Sequence, residues 1–63
     1  MKIAYRKNWG HCYVVVFDVG EHSFWGSLRD REDSTWTPSE ESFQLDQMWI
    51  FEEIPDLIFS NLN

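Results

Sequence analysis

Apolar and polar residues alternate in three short segments of the first half of the chain, which is the pattern of antiparallel β-strands. The segments are residues 2–7, 11–18 and 21–28. The second of them, HCYVVVFD, is rich in β-branched and aromatic residues and gives the strongest strand signal in the sequence. Asn8, Gly10 and Gly20 fall between the segments, at positions suited to turns. The first half therefore predicts a three-stranded antiparallel β-meander.

Both faces of this predicted sheet are apolar, because residues 14–17 present large side chains to both sides. With two-residue turns, Tyr5 pairs with Val14, and Val14 pairs with Trp25. A half-exposed antiparallel strand normally alternates with polar residues, so each face needs a cover. One C-terminal segment covers only one face. The second face is covered by self-association or a partner, or the sheet curls and closes on itself.

The second half contains the start signal of a helix at residues 37–40. Thr37 is suited to cap the helix, Pro38 to occupy its first position, and Glu40 to complete a capping box. Four apolar residues downstream fall on one helical face: Phe43, Ile50, Phe51 and Ile54. Pro55 interrupts this helix, and residues 56–62 can form a short second one. These features predict one or two C-terminal helices.

Residues 42–51 also fit a fourth strand. Their large apolar residues alternate along the chain, broken only by Gln47: Phe43, Leu45, Trp49 and Phe51. The capping signature favours the helix, and the strand stays open as the alternative. The predicted fold is a single small α+β domain over residues 1–63, a three-stranded antiparallel β-meander packed against one or two C-terminal helices.

Size and composition limit what such a domain can be. Its 63 residues bury a small core, and its 17% aromatic content helps to compensate for that. Cys12 is the only cysteine, so no disulfide forms within the chain. A lone thiol fits a reducing compartment, and no apolar stretch is long enough to cross a bilayer. We therefore expect a cytoplasmic protein with no membrane association.

The spacing of His11, Cys12 and His22, the chain's imidazole and thiol groups, argues against a zinc site. In the predicted register the two histidines lie at opposite ends of a hairpin, roughly 20 Å apart. His11 and Cys12 are consecutive on a strand, so their side chains point to opposite faces. We expect no metal site, no cofactor and no catalytic cysteine. The neighbouring carboxylates are interpreted as a solvated surface, and the protein is predicted not to be an enzyme.

Charge divides the chain into two unequal halves. Residues 1–31 hold all five basic residues and three acidic ones, whereas residues 32–63 hold eight acidic residues and no lysine or arginine. A net charge of −6 repels phosphate, so direct binding to nucleic acid is not expected. The acidic half also carries many apolar residues, so it should fold and present its charge to a partner of opposite sign.

This charge pattern predicts a non-enzymatic module that binds a basic protein surface, of the kind that normally holds nucleic acid. The predicted partner-binding residues are eight carboxylates with two tryptophan anchors: Glu32, Asp33, Trp36, Glu40, Glu41, Asp46, Trp49, Glu52, Glu53 and Asp56. In size and charge the chain resembles the small acidic inhibitors, many of them DNA mimics, that phages encode against restriction, CRISPR or repair enzymes. The likeness lies in composition and charge layout and includes no motif.

The alternative is a self-associating structural or regulatory module. It uses the second apolar face of the sheet to form a homodimer and has no partner related to nucleic acid. The sequence leaves the partner's identity, the organism, the biological process and the oligomeric state open.

Overall fold

The computed structural model describes residues 1–55, which form one antiparallel β-sheet of five strands. The strands are β1 (Lys2–Arg6), β2 (Cys12–Val19), β3 (Ser23–Asp30), β4 (Ser39–Gln44) and β5 (Trp49–Glu53). Their order across the sheet is β4-β3-β2-β1-β5, so β4 and β5 form its two edges. These described residues contain no helix, and therefore none that could cross a membrane.

The predicted α+β fold is wrong, because the second half of the chain forms strands where helices were expected. Residues 37–40 lead into β4 instead of capping a helix. A helix cap contributes about 1 kcal/mol. Burying one large aromatic side chain contributes about 1.5–3 kcal/mol, and both β4 and β5 place aromatic rings against the core. The predicted second helix, residues 56–62, lies outside the described residues.

The register also differs from the two-residue turns that the sequence suggested. β1 pairs with β2 through Ala4 and Val14, one residue away from the predicted pairing. Val14 pairs with Leu28 on β3. Longer turns cause these shifts, since residues 7–11 connect β1 to β2 and residues 20–22 connect β2 to β3. A slip of one residue moves a strand's side chains to the other face, so the predicted faces were mixed.

The core lies on one face of the sheet, here called the concave face. Its fully buried centre is Ala4, Val14 and Phe24. The partly buried residues that pack around this centre are Trp9, Val16, Leu28, Phe43, Leu45 and Trp49. Three aromatic rings surround Phe24 at centroid distances of 5.2, 4.9 and 5.3 Å: Phe43, Trp49 and Phe51. The alternation of apolar residues in positions 43–51 thus matches the side chains that β4 and β5 direct inward.

The sheet is rolled, so its two edges approach each other over Phe24. Phe43 on β4 and Trp49 on β5 have ring centroids 5.5 Å apart although their strands are at opposite edges. The Trp49 Nε1–H also donates to the carbonyl of Gln44 at 2.9 Å. A curled sheet that closes on itself, one of the alternatives left open by the sequence, therefore covers the concave face.

Gly26 allows the close approach that this curl requires. A Cβ atom at this position would lie 2.5 Å from Val14 Cγ1 and 2.5 Å from the carbonyl oxygen of Val15. The bulge of β2 falls directly beside it, where the register shifts between Val16 and Asp18. Bulges bend a strand and increase its twist. Gly26 and the bulge together mark the point where β2 and β3 bend around the core.

Candidate functional site

The face opposite the core, here called the convex face, is apolar at its centre and open to solvent at several positions. Its central side chains alternate with those of the core and are Ile3, Tyr5, Tyr13, Val15, Trp25, Ser27, Arg29 and Ile50. Val15 and Ser27 are buried between their neighbours, whereas Trp25 is 43% and Ile50 is 38% exposed. Phe17, in the bulge of β2, is 53% exposed.

Two carboxylates frame this convex face, one at each edge of the sheet. Strand pairing places Glu52 beside Ile3, Ile3 beside Val15, Val15 beside Ser27, and Ser27 beside Glu40. This row crosses all five strands, so the Cα atoms of its two glutamates are about 19 Å apart when measured along the curved sheet, at ~4.8 Å per strand. This row on the convex face therefore has a carboxylate at each end, and the Arg29 guanidinium lies beside its middle, where Nε–H donates to Ser27 Oγ at 3.4 Å.

Aromatic side chains of the same face orient both carboxylates. Tyr5 donates its hydroxyl hydrogen to Glu52 Oε1 at 2.6 Å, and Trp25 Nε1–H donates to Glu40 Oε1 at 3.4 Å. The hydrogen bond to Glu52 is the main reason that the pKa of the Tyr5 hydroxyl is raised; burial adds to the effect, and the negative charge of Glu52 adds less than burial. Glu40 and Glu52 are thus each held by a hydrogen bond from an aromatic side chain of the convex face.

The remaining edge carboxylates lie on the other side of the same strands and in the connection between them. Ser39 Oγ donates to Glu41 at 2.8 Å, and the N-terminal amine pairs with Glu53 at 3.0 Å. Asp46 accepts two hydrogen bonds from the Arg6 guanidinium at 3.2 Å. Within residues 1–55 these carboxylates lie on strands and in connections and not on the predicted helix. Acidic groups are distributed over both edges and both faces of the sheet.

Glu32, Asp33 and Trp36 lie in the connection between β3 and β4. The hydroxyl and backbone N–H of Thr35 donate to the Asp33 carboxylate at 2.6 and 2.9 Å, and these two bonds lower the pKa of Asp33. Trp36 is 40% exposed, and its indole N–H donates to the carbonyl of Leu28 at 3.2 Å. Asp56, the last predicted carboxylate, lies outside the described residues.

Trp49, the second predicted anchor, is part of the aromatic core. Phe24, Phe43 and Trp9 surround its ring, with centroids 4.9, 5.5 and 5.2 Å away. The Arg6 guanidinium lies 4.9 Å from the ring centroid, so a cation from within the chain already occupies that position. Trp49 therefore packs against the core.

His11, Cys12 and Asp30 converge at one end of β2 and β3. His11 Nδ1 lies 2.7 Å from Asp30 Oδ1, and Cys12 Sγ lies 3.9 Å from Asp30 Oδ2. The Asp30 carboxylate also accepts the backbone N–H groups of Glu32 and Asp33. The bond from Glu32 is the main reason that the pKa of Asp30 is lowered, and His11 adds to the effect.

Sequence reasoning missed this cluster because it placed His11 inside a strand. β2 begins at Cys12, so His11 belongs to the preceding turn and does not alternate with its neighbour. Asp30 pairs directly with Cys12 because β3 extends two residues beyond its predicted end. The signal that could have found Asp30 is its place two residues before Glu32, where an aspartate commonly accepts backbone hydrogen bonds in a turn.

Comparison of the chain with protein-family models, with curated proteins and with solved structures returned no match.

Proposed function

We propose that this protein is a non-enzymatic binding module that engages a basic protein surface through its convex face. The observation that carries the proposal is the pair of oriented carboxylates, Glu40 and Glu52, at the two ends of an apolar and partly exposed face. Protein interfaces commonly combine an apolar, aromatic centre with a polar rim. Trp25 and Ile50 supply the exposed apolar area, and the carboxylates supply the rim.

The charges favour a cationic partner. Within residues 1–55, neither Glu40 nor Glu52 forms an ion pair within 4 Å, whereas Asp46 and Glu53 do. Glu32 and Asp33, in the connection beside β4, carry no such pair either and add to the negative field. Opposite charge on a partner speeds encounter and sets orientation, while buried aromatic side chains provide lasting contact.

A basic surface that must accept negative charge from both edges of the sheet has the character of a nucleic-acid-binding groove. The proposal therefore makes the partner a nucleic-acid-binding protein in the same cytoplasmic compartment. The module acts as an inhibitor or regulator that occupies the groove, in the manner of the DNA-mimic inhibitors that the composition resembles. It does not itself bind nucleic acid, because the net charge of −6 opposes that.

The test compares two double variants with the same change in charge. Glu40→Lys with Glu52→Lys reverses the convex carboxylates, and Glu41→Lys with Glu53→Lys reverses their neighbours on the other side of the same strands. The partner is first captured on immobilised wild-type protein, then purified, and its affinity for each variant is measured at low and high salt. We expect the convex variant to bind at least ten times more weakly and the other variant to bind within about threefold of wild type.

Displacement provides the second part of the test. Duplex DNA or structured RNA added to the complex should compete with the wild-type protein for the partner. Equal losses in both double variants would show that overall charge alone matters and would contradict a convex-face site. Formation of a ternary complex with nucleic acid would contradict occupation of the nucleic-acid groove.

Self-association is the second candidate function, and the exposure of Trp25 and Ile50 favours it. In a homodimer that buried the two convex faces, Trp25→Asp should convert the dimer to a folded monomer in sedimentation experiments. Stacking two such faces would also bring the carboxylates of two acidic copies together, and like charges repel. For that reason the cationic partner is the first proposal. A stable convex-face dimer at physiological salt would reverse this order.

A further inference from the structure

The cluster of His11, Cys12 and Asp30 contains three different metal-ligating side chains in a small space. One ligand atom from each of the three lies within 4.8 Å of the others. Four-coordinate zinc with bonds of about 2.0–2.3 Å holds neighbouring ligand atoms roughly 3.3–3.8 Å apart. The separation of 3.9 Å between Cys12 Sγ and Asp30 Oδ2 is already close to that spacing. Small rotations of side chains therefore suffice to bring the three groups onto one ion.

The backbone fixes the positions from which these side chains extend. Cys12 and Asp30 are directly opposite each other in the β2–β3 ladder. The backbone N–H of Arg31 donates to the carbonyl of His11 at 3.1 Å, which joins the turn before β2 to the end of β3. A site built on paired strands keeps its geometry better than one built on a free loop.

Asp30 is also oriented in the way that metal ligands usually are. The backbone N–H groups of Glu32 and Asp33 donate to its Oδ1 at 2.9 and 3.2 Å. Such outer hydrogen bonds fix the direction of a ligating carboxylate. The Asp30 side chain is only 8% exposed, whereas that of His11 is 45% exposed, so an ion can reach the cluster from the histidine side.

We propose that His11, Cys12 and Asp30 form a site for a divalent transition metal, with zinc as the expected ion. Nitrogen, sulfur and oxygen donors of these three residue types are the usual zinc ligands. The ion takes the place of the proton between His11 Nδ1 and Asp30 and of the thiol proton of Cys12. Three protein ligands leave a fourth coordination position for water or for a group from another molecule.

Metal binding at this site ties the turn before β2 to the end of β3. An ion that binds only the folded state raises the free energy of unfolding, and small domains commonly need such a link. The site is separate from the partner-binding proposal, because it involves neither Glu40 nor Glu52. Each of the two proposals therefore stands or falls by its own experiment.

Cobalt(II) is the probe for this test, since a cobalt–thiolate bond gives a charge-transfer absorption band. Cys12 is the only cysteine, so any such band reports on it. We expect one cobalt ion per chain under reducing conditions, displacement of cobalt by zinc, and a higher melting temperature with one equivalent of zinc. Cys12→Ser should abolish the band, and His11→Gln should weaken cobalt binding at least tenfold.

His22→Gln is the matched control, because His22 lies in the turn at the opposite end of the β2–β3 hairpin. It should bind cobalt as wild type does. His11→Gln is preferred to a change at Asp30, since Asp30 also accepts backbone hydrogen bonds that support the fold. No charge-transfer band in the wild-type protein would overturn the proposal. Equal binding by wild type and His11→Gln would also overturn it, because the thiol would then be acting alone.

Discussion

The two faces of the sheet differ in how their aromatic side chains are packed. On the concave face, four aromatic rings from three strands converge, and the two edges of the sheet meet over Phe24. On the convex face, buried Val15 and Ser27 are surrounded by side chains that stay partly in solvent. The concave face accounts for folding. The convex face holds Trp25, Ile50 and two oriented carboxylates partly in solvent, so it is the face in which we look for function.

Phe24 and Trp25 give the strongest test of this comparison, because they are neighbours on β3 that point to opposite faces. Phe24→Ala should lower the free energy of unfolding by about 3–5 kcal/mol. Trp25→Ala should cost about 1–2 kcal/mol, because much of its ring remains in water and its surroundings can adjust. Urea denaturation followed by circular dichroism measures both values. Equal losses would mean that the convex face is a second core and the distinction fails.

Gly26 tests whether the bend of the sheet matters for the concave face. Gly26→Ala should lower the free energy of unfolding by about 1–3 kcal/mol, because the new Cβ meets Val14 Cγ1 and the backbone of Val15. Gly10→Ala is the matched control, since no atom lies within 4 Å of its added Cβ, and it should change stability by less than about 0.5 kcal/mol. A Gly26→Ala protein as stable as the control would show that β2 and β3 can separate at no cost.

The connection between β3 and β4 should make the stability of the protein depend on pH in the acid range. The pKa of Asp33 is lowered in the folded state by its two bonds from Thr35. A lowered pKa contributes stability above the unfolded value of about 4, and this contribution is lost as the pH falls through the folded value. Asp33→Asn should therefore flatten the dependence of stability on pH below about 4. Thermal melts across that range measure it, and Thr35→Val should flatten the curve in the same direction.

The smallest expected effect concerns the hydrogen bond from Tyr5 to Glu52, a glutamate at the edge of the convex face. The Tyr5 hydroxyl should titrate above its ordinary pKa, chiefly because it donates to Glu52. Glu52→Gln removes the negative charge and should bring the Tyr5 pKa down toward the ordinary value. NMR titration of the tyrosine ring signals measures this, with Tyr5→Phe to assign them. An unchanged midpoint in Glu52→Gln would show that Glu52 is not held by Tyr5 in solution.

The sequence predicted elements whose signals were dense and local. β2 was predicted because runs of valine and aromatic residues favour β-strands, and β1 and β3 were predicted from their alternation of apolar and polar residues. The capping signature before Glu40 was also local, but it was outweighed by contacts of Phe43 and Trp49 with Phe24, which is distant in sequence. No local pattern reports such contacts, so β4 and β5 were assigned to a helix.

The candidate sites depended on details that sequence reasoning does not supply. Whether Glu40 and Glu52 share a face follows from the register, and the register follows from turn lengths and from the bulge beside Gly26. His11 and Cys12 were expected to point apart, whereas the true start of β2 lets them converge on Asp30. For His11, an error of one residue in the start of β2 changed the predicted chemistry, whereas for Glu40 and Glu52 the error was the assignment of their strands to a helix.

The same glutamates that frame the convex face have a consequence for solubility. The edges of the rolled sheet meet through side chains and not through strand pairing, so β4 and β5 are outer strands whose unpaired backbone groups could recruit further chains into fibrous ribbons. β4 carries Glu40 and Glu41, and β5 carries Glu52 and Glu53, so each outer strand has two adjacent negative charges. A cationic partner bound at these strands, or a strongly acidic medium, neutralises those charges. Either change removes the repulsion that opposes edge-to-edge association of copies.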